Sequence, residues 1–410
     1  MYDPTFGPTS LNRHIRKTDF KDKPKLKTEA FRNAQITKAV NYAKSGLKGI
    51  TLEKNDLSGR AIYKNNDLPT ELVLRKAVQN IRKISSARQS NRLDIIQRLQ
   101  LLCQEGMPFA VAKFDVRQFY PSVDQASLTG MVQRRLDTAP GTRTVLEGFI
   151  TACAAQGIHG VPPGLAISAA LGEMYMQDFD ASMQSQLKPH LYARYVDDII
   201  LVLPPTRDLK GLRKSVSELL PPGLSLNEKK TRLINFTETK AKVPIAEHQF
   251  DYLGFSFSVL GIGKDRPNNR KVVLDVSDNK VKKRKTRVAR SLLQYLKDGD
   301  FGDLRDRFRV NSCNYKFFDT RKSRVRSAGM YHTYGLIDLP SKSLKELDAF
   351  QRKILLSKSG KICGPLSLSL SLAQRNELLT ISFERAFIDK IHFNFTPERL
   401  KFLMECWKYA

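Results

Sequence analysis

Apolar positions along this chain recur in two ways, at helical intervals and in short runs of strand length. The stretch 29–49, EAFRNAQITKAVNYAKSGLKG, has helical character and closes on a glycine suited to a C-cap. Residues 68–105 predict two helices around a basic loop, the second carrying Leu93, Ile96, Leu99 and Leu102 at helical spacing and ending at Gly106. FAVAKFDV, 109–116, is a nearly continuous apolar run and predicts a strand. A helix follows over 164–187, where Ile167, Leu171, Met174, Phe179, Met183 and Leu187 recur three to five residues apart. YARYVDDIILVL, 192–203, predicts a β-hairpin, and RDLKGLRKSVSELL, 207–220, an amphipathic helix stopped by Pro-Pro-Gly. LSLNEKKTRLINF and HQFDYLGFSFSVL supply further strands, and beyond 275 the pattern is mainly helical and basic. Strand, helix, hairpin, helix, strand is an order that predicts an α+β fold with helices on one face of a sheet.

The 192–203 run raises a physical difficulty. Neighbouring side chains in a strand point to opposite faces. A continuous strand through Val196-Asp197-Asp198-Ile199 would therefore bury at least one carboxylate without a partner, a cost of several kcal/mol. The difficulty disappears if the pair sits at a hairpin tip, if a cation neutralises it, or both. KFDVRQFYPSVD supplies a third carboxylate, Asp115, at the end of the 109–116 strand. Three aspartates from two strands can hold two Mg²⁺ ions about 3.5–4 Å apart, the arrangement used for in-line phosphoryl transfer.

Charge points the same way. The chain carries 69 basic against 41 acidic residues, a net +28. Residues 1–112 hold 21 basic and 10 acidic residues, 113–258 hold 16 and 15, and 264–326 hold 20 and 8. A near-neutral centre between two basic arms suits a polyanion gripped from both sides around an acidic site. The five cysteines are scattered with no CxxC pair, which predicts reduced thiols, a cytoplasmic location and no zinc site. No run has the length of a membrane span, and MYDPTFGPTSLNRHIRK lacks the apolar core of a secretory signal.

Five segments in order resemble the motifs of bacterial reverse transcriptases, over roughly residues 60–330: KFDVRQFYPSVD, GVPPGLAIS, YVDD, LNEKKT and FDYLGF. The resemblance implies a right-hand polymerase with fingers, palm and thumb, an antiparallel palm sheet backed by helices, and a mainly helical basic thumb. It implies an N-terminal extension over 1–60, fingers over 61–112, palm over 113–258, thumb over 259–345 and a C-terminal helical segment over 346–410. Asp115, Asp197 and Asp198 become the catalytic residues and, with the adjoining Val116, the positions holding two Mg²⁺ or Mn²⁺ ions. Tyr120 becomes the ring below the nucleotide sugar, with no room for a 2′-hydroxyl. Gly160, Gly164 and Ser168 would let backbone approach the nucleotide, and Lys230, Arg88 and Arg92 would face the triphosphate or template. Pro163 departs from the polar residue, often Gln, that many relatives carry. Tyr252, Leu253 and Gly254 would grip the primer terminus. In the thumb, Lys282, Lys283, Arg284, Lys285 and Arg287 would track a phosphate backbone, with Tyr315, Phe317 and Phe318 stacking on bases or sugars.

The activity so implied is RNA-directed DNA synthesis from dNTPs on an RNA template, releasing a DNA product. Residues 330–410 show no acidic cluster resembling a ribonuclease H site and no His-rich endonuclease tail. The stand-alone form resembles the retron and defence-associated groups, closest to the latter, which implies a structured noncoding RNA partner and an antiviral role. A homo-oligomer or a second polymerase subunit is compatible with it. Two other readings stay open: an RNA-dependent RNA polymerase, disfavoured by Tyr120 and by YVDD in place of GDD, and a non-catalytic nucleic-acid scaffold, disfavoured by the full set of aspartates.

Overall fold

The computed structural model describes residues 2–57, 59–206, 208–236, 248–263, 266–319 and 324–408. The chain divides into two compact units, one of residues 1–95 and 107–238, the other of 96–106 and 239–410. Positions 237–247, within the expected palm, and 320–323, within the second basic stretch of the expected thumb, lie outside the described residues.

The first unit holds a two-stranded hairpin, β1 (Glu53–Leu57) with β2 (Arg60–Lys64), and a four-stranded sheet. That sheet comprises β3 (Phe109–Asp115), β4 (Leu191–Tyr195), β5 (Asp198–Leu203) and β6 (Arg232–Phe236), in the antiparallel order β4-β5-β3-β6. The central strands β3 and β5 are apolar almost throughout because both of their faces are covered. Phe114 pairs with Ile199 and Ala112 with Leu201, and these side chains pack with Phe179, Met183 and Val216 from helices Gln177–Leu187 and Leu209–Leu219. The expected 164–187 helix is two helices, Ala166–Tyr175 and Gln177–Leu187, joined at Met176. The joint lets Tyr175 enter one core while Met176, Phe179 and Met183 enter the core beneath the sheet.

The larger core joins N-terminal side chains such as Leu11, Leu26, Ile36 and Ala39 to Leu72, Leu146 and Phe149. Helix Glu29–Lys44 ends before Gly46, whose φ of +66° is the left-handed conformation expected of a closing glycine. Gly46 lies so close to helix Pro140–Ala155 that a Cβ built on Gly148 would stand 1.6 Å from the Gly46 carbonyl oxygen. Gln156 adds two bonds, accepting from Leu52 N–H (2.9 Å) and donating to Ile50 C=O (3.0 Å). The segment expected as an extension is thus part of this unit's core. The boundary expected between 60 and 61 falls inside the β1–β2 hairpin, and that between 112 and 113 inside β3. Motif and charge positions suggested those cuts; backbone pairing runs across them.

The second unit contains the meander β7 (His248–Tyr252), β8 (Phe255–Gly263) and β9 (Arg266–Val276). Helices Asp278–Asp298 and Phe301–Ser312 follow, the latter capped by Asp300. β10 (Asn314–Asp319) and β11 (Arg324–Gly329) form a hairpin, which β12 (His392–Asn394) joins in parallel. The mainly helical pattern read beyond 275 is therefore interrupted by a sheet, because Tyr315 and Phe317 turn into a small core with Phe395 and Trp407. The boundary expected between 258 and 259 lies inside β8, and that between 345 and 346 inside helix Lys342–Leu356.

Candidate active site

Asp115 and Asp198 are opposite each other in the β3–β5 register. Directly paired residues share a face, and since Phe114 and Ile199 point to the helices, the two carboxylates stand on the other face. Asp197 lies in the two-residue turn between β4 and β5. The hairpin tip resolves the difficulty posed by adjacent aspartates, because only Asp198 belongs to the strand. Val196, first in that turn, has φ +60°, a position normally given to glycine and an unusual one for a β-branched residue.

Backbone bonds bracket the site. Val116 N–H donates to Asp197 C=O (2.9 Å), Arg117 N–H to Ser225 C=O (2.8 Å) and Asn227 N–H to Asp115 C=O (2.7 Å). Asp115 itself is 5 % exposed. Its carboxylate accepts from Lys230 Nζ at 2.8 Å and from Asn227 Nδ2 at 3.2 Å. Asn227 was not singled out in the sequence, although it lies in LNEKKT; an asparagine before a lysine pair carries no periodic signal.

Burial raises the Asp197 carboxyl above its ordinary pKa and the Asp115 charge adds to this, against Lys230 and Arg60. Burial raises Asp198 as well, with Asp197 and Asp115 adding and Lys113 and Lys230 opposing. Lys230 is raised in turn, chiefly by its bond to Asp115. Among the described residues no three carboxylate, imidazole or thiol groups are already arranged as a metal cage. The donor chemistry fits a divalent cation all the same. Three hard carboxylate ligands adjoin, two of them resist ionisation through burial and, after it, the charge of their neighbours, and a lysine ammonium already supplies positive charge to the third.

Tyr120 is half-buried, edge-on to Phe119 with ring centroids 5.2 Å apart. Burial raises its hydroxyl pKa, with Glu173 and Asp197 contributing. Gly160, at φ +63°, turns beneath it: a Cβ there would stand 2.2 Å from the Tyr120 carbonyl oxygen. Gly164, at φ +103°, meets the β1–β2 hairpin, where a Cβ would fall 2.4 Å from Ile62 Cγ2. Pro163 contributes its carbonyl, which accepts from Tyr63 N–H at 2.8 Å. Ser168 is buried and its hydroxyl donates to Pro162 C=O at 2.6 Å, so it secures the loop itself.

The other candidates are placed as follows. Arg88 is exposed and lines a cavity of about 590 Å³ with Arg16, Arg82, Lys83 and the start of helix Ala166–Tyr175. Arg92 is the first residue of helix Arg92–Cys103. Leu253 and Gly254 form the two-residue β7–β8 turn in the second unit, both left-handed (φ +47° and +82°), and Tyr252, the last residue of β7, is fully buried. Of the five thumb cations, only Lys282 and Lys283 are exposed. Arg284 donates to Asn311 C=O at 2.7 Å, and burial lowers its pKa to about 10. Lys285 pairs with Glu346 at 2.6 Å, and Arg287 lies over the Trp407 ring at 5.2 Å. Three of those cations are spent on internal contacts because the helix turns them toward Asn311, Glu346 and Trp407. Tyr315 and Phe317 are likewise partly buried, leaving Phe318 exposed.

Comparison with known proteins gives one family and several structures. Residues 62–257 match the family described as reverse transcriptase (RNA-dependent DNA polymerase). No curated protein matches. Similar solved structures include apo telomerase from Candida tropicalis truncated from its C-terminal domain (15% identity, 54% of each chain, TM-score 0.36). They also include Candida albicans telomerase in complex with a TWJ fragment of telomeric RNA (15% identity, 82% of this chain and 54% of that one, TM-score 0.34). The chain spans about half the length of these telomerase chains. Among the described residues no helix is long and apolar enough to cross a membrane.

Proposed function

We propose, from the premise that residues 62–257 are a reverse transcriptase domain, an RNA-directed DNA polymerase and so a nucleotidyltransferase, that this protein copies an RNA template into DNA. The observation that carries the reading is the pairing of Asp115 with Asp198 beside the turn that bears Asp197. Asp115, Asp197 and Asp198, with Val116 adjoining, would hold divalent metal, Mg²⁺ in the first instance. Such ions, when bound, activate the primer hydroxyl and neutralise the leaving pyrophosphate.

The chain's own residues do the positioning. Asn227 and Lys230 fix the two Asp115 oxygens, and Lys230, 60% exposed, can exchange its Asp115 bond for one to a triphosphate. Tyr120, held from below by the Gly160 turn, limits space for a 2′-hydroxyl and so selects dNTPs. Gly164 keeps the loop at 160–164 flush with the β1–β2 hairpin, whose Arg60 faces Asp197 electrostatically. Lys282 and Lys283 present charge to a template–primer duplex, whose affinity then depends on salt. Preorganised charge and position, rather than proton chemistry by the protein, supply the rate.

The resemblance to defence-associated enzymes supports a structured noncoding RNA as template and an antiviral role, and the scattered cysteines support a cytoplasmic location. The test is primer extension by the purified protein on an RNA template with dNTPs or rNTPs, beside Asp197→Asn with Asp198→Asn. DNA synthesis by the native protein, lost in the double variant while RNA binding persists, supports the reading. Extension that survives in the variant, or preference for rNTPs, overturns it. Sequencing RNA that copurifies from the host tests the template: a defined small RNA supports the defence reading, and bulk RNA alone refutes it.

A further inference from the structure

Asp197 has no strand to hold it, and its turn begins with a valine in the left-handed region. Beneath that turn lies Arg194, 6 % exposed. Its guanidinium grips Asp180 with two parallel bonds, Nε to Oδ1 and Nη2 to Oδ2, both 2.8 Å. Nη2 also reaches Glu173 Oε2 at 2.8 Å, and Nη1 donates to the Val196 carbonyl at 3.0 Å. Tyr192 donates its hydroxyl to Asp180 as well. Asp180 and Glu173 come from the two helices on either side of the Met176 joint.

The Val196 carbonyl belongs to the peptide that precedes the Asp197 Cα. The peptide that follows is held by Val116 N–H, which donates to Asp197 C=O at 2.9 Å. Both peptides flanking Asp197 are therefore pinned, one to β3's end and one to Arg194. A planar fork with several donors in fixed directions suits this task, whereas a lysine could satisfy only part of it.

We infer that Arg194 is a positioning residue for nucleotide addition: braced by Asp180 and Glu173, it clamps the Val196 carbonyl, holds the turn in its left-handed form and so aims the Asp197 carboxylate. The inference rests on the polymerase reading for its catalytic consequence, and on geometry alone for the clamp. A merely structural arginine would lower thermal stability and leave the turn's own motion and the rate of addition alone. A positioning arginine acts on the turn first.

The experiment uses the full chain with Arg194→Met, Arg194→Lys, and Arg194→Met combined with Val196→Gly. Glycine adopts φ +60° without strain, so the combined variant needs the clamp less. Single-turnover addition should slow by about 100-fold in Arg194→Met, the order that a displacement of about 1 Å costs. Nucleotide affinity should stay within about threefold, the signature of a contact that acts on the reacting geometry. Arg194→Lys should fall between, and Val196→Gly should recover about tenfold of the loss by relieving the turn. Hydrogen exchange across 191–203 should quicken in Arg194→Met and slow again in the double variant. Unchanged exchange, or addition within threefold of native, overturns the inference, and so does a double variant no better than the single. Glu173→Gln, the milder change, should move exchange the same way if Arg194→Met does not fold. Should the native protein fail to extend any primer, the polymerase reading falls, while exchange still decides the clamp.

Discussion

Gly160→Ala separates backbone strain from steric collision at the site, because Gly157 provides a matched control. Gly157 and Gly160 have nearly the same φ, +66° and +63°. An alanine at either should lose about 1 kcal/mol to the left-handed conformation. At Gly157 a Cβ meets nothing within 4 Å. At Gly160 it would lie 2.2 Å from the Tyr120 carbonyl oxygen and 2.7 Å from the Pro121 carbonyl carbon and oxygen, all backbone atoms. Relieving that contact requires a backbone shift of about 1 Å, a cost of about 1–3 kcal/mol by comparison with overpacked cores. The same shift strains the 3.0 Å bond from Val161 N–H to Tyr120 C=O, worth about 1 kcal/mol. In calorimetric melts, Gly157→Ala should lower Tm by about 2–4 °C and Gly160→Ala by about 6–20 °C. Because the shift carries Tyr120 with it, Gly160→Ala should also slow dNTP addition and admit more ribonucleotide, whereas Gly157→Ala should do neither. Equal losses of Tm in the two variants, or native sugar discrimination in Gly160→Ala, would refute the steric reasoning.

Asp198→Asn should abolish primer extension yet raise Tm at neutral pH. Its folded-state pKa lies above the unfolded value, so the folded protein holds the extra proton between the two, and stability is lost as pH rises through the folded value. A melt series from pH 4 to pH 8 checks this: the gain should grow with pH and vanish in acid. Tyr120→Ala should raise ribonucleotide incorporation relative to dNTP, measured as the ratio of kcat/KM values, with Tyr120→Phe close to native. Replacing Lys282 and Lys283 together by Ala should reduce the slope of log affinity against log salt by about two, one for each phosphate contact removed. A matching change at Arg284 should instead lower Tm, because its guanidinium is bonded to Asn311.

The sequence made some of this structure legible and left other parts out of sight, for identifiable reasons. The β4–β5 hairpin was readable because two adjacent carboxylates inside an apolar run have few physical solutions. β3 was readable because burial on both faces leaves a continuous apolar run. The joint at Met176 was not, since Tyr175 and Met176 are equally apolar and only the existence of two separate cores divides them. The β10–β11 hairpin was hidden by its charge: arginines and lysines on exposed positions resemble those of a basic helix. Cations suffered most. Arg194, Arg284 and Lys285 carry the same letters as phosphate-binding residues, and what distinguishes them is the asparagine or carboxylate across the fold, from 14 to 61 positions away.

The seating of Gly46 against Gly148, secured by Gln156 on Ile50 and Leu52, has a consequence for biosynthesis. Those two hydrogen bonds join positions 106 and 104 residues apart. On a ribosome adding about 5–20 residues each second, the docking partner emerges about 5–20 s after the N-terminal segment. Through that interval Ile36, Ala39 and Leu47 lack the part of their core that Leu146 and Phe149 supply, which makes the nascent chain a candidate for chaperone capture before Asp197 and Asp198 exist.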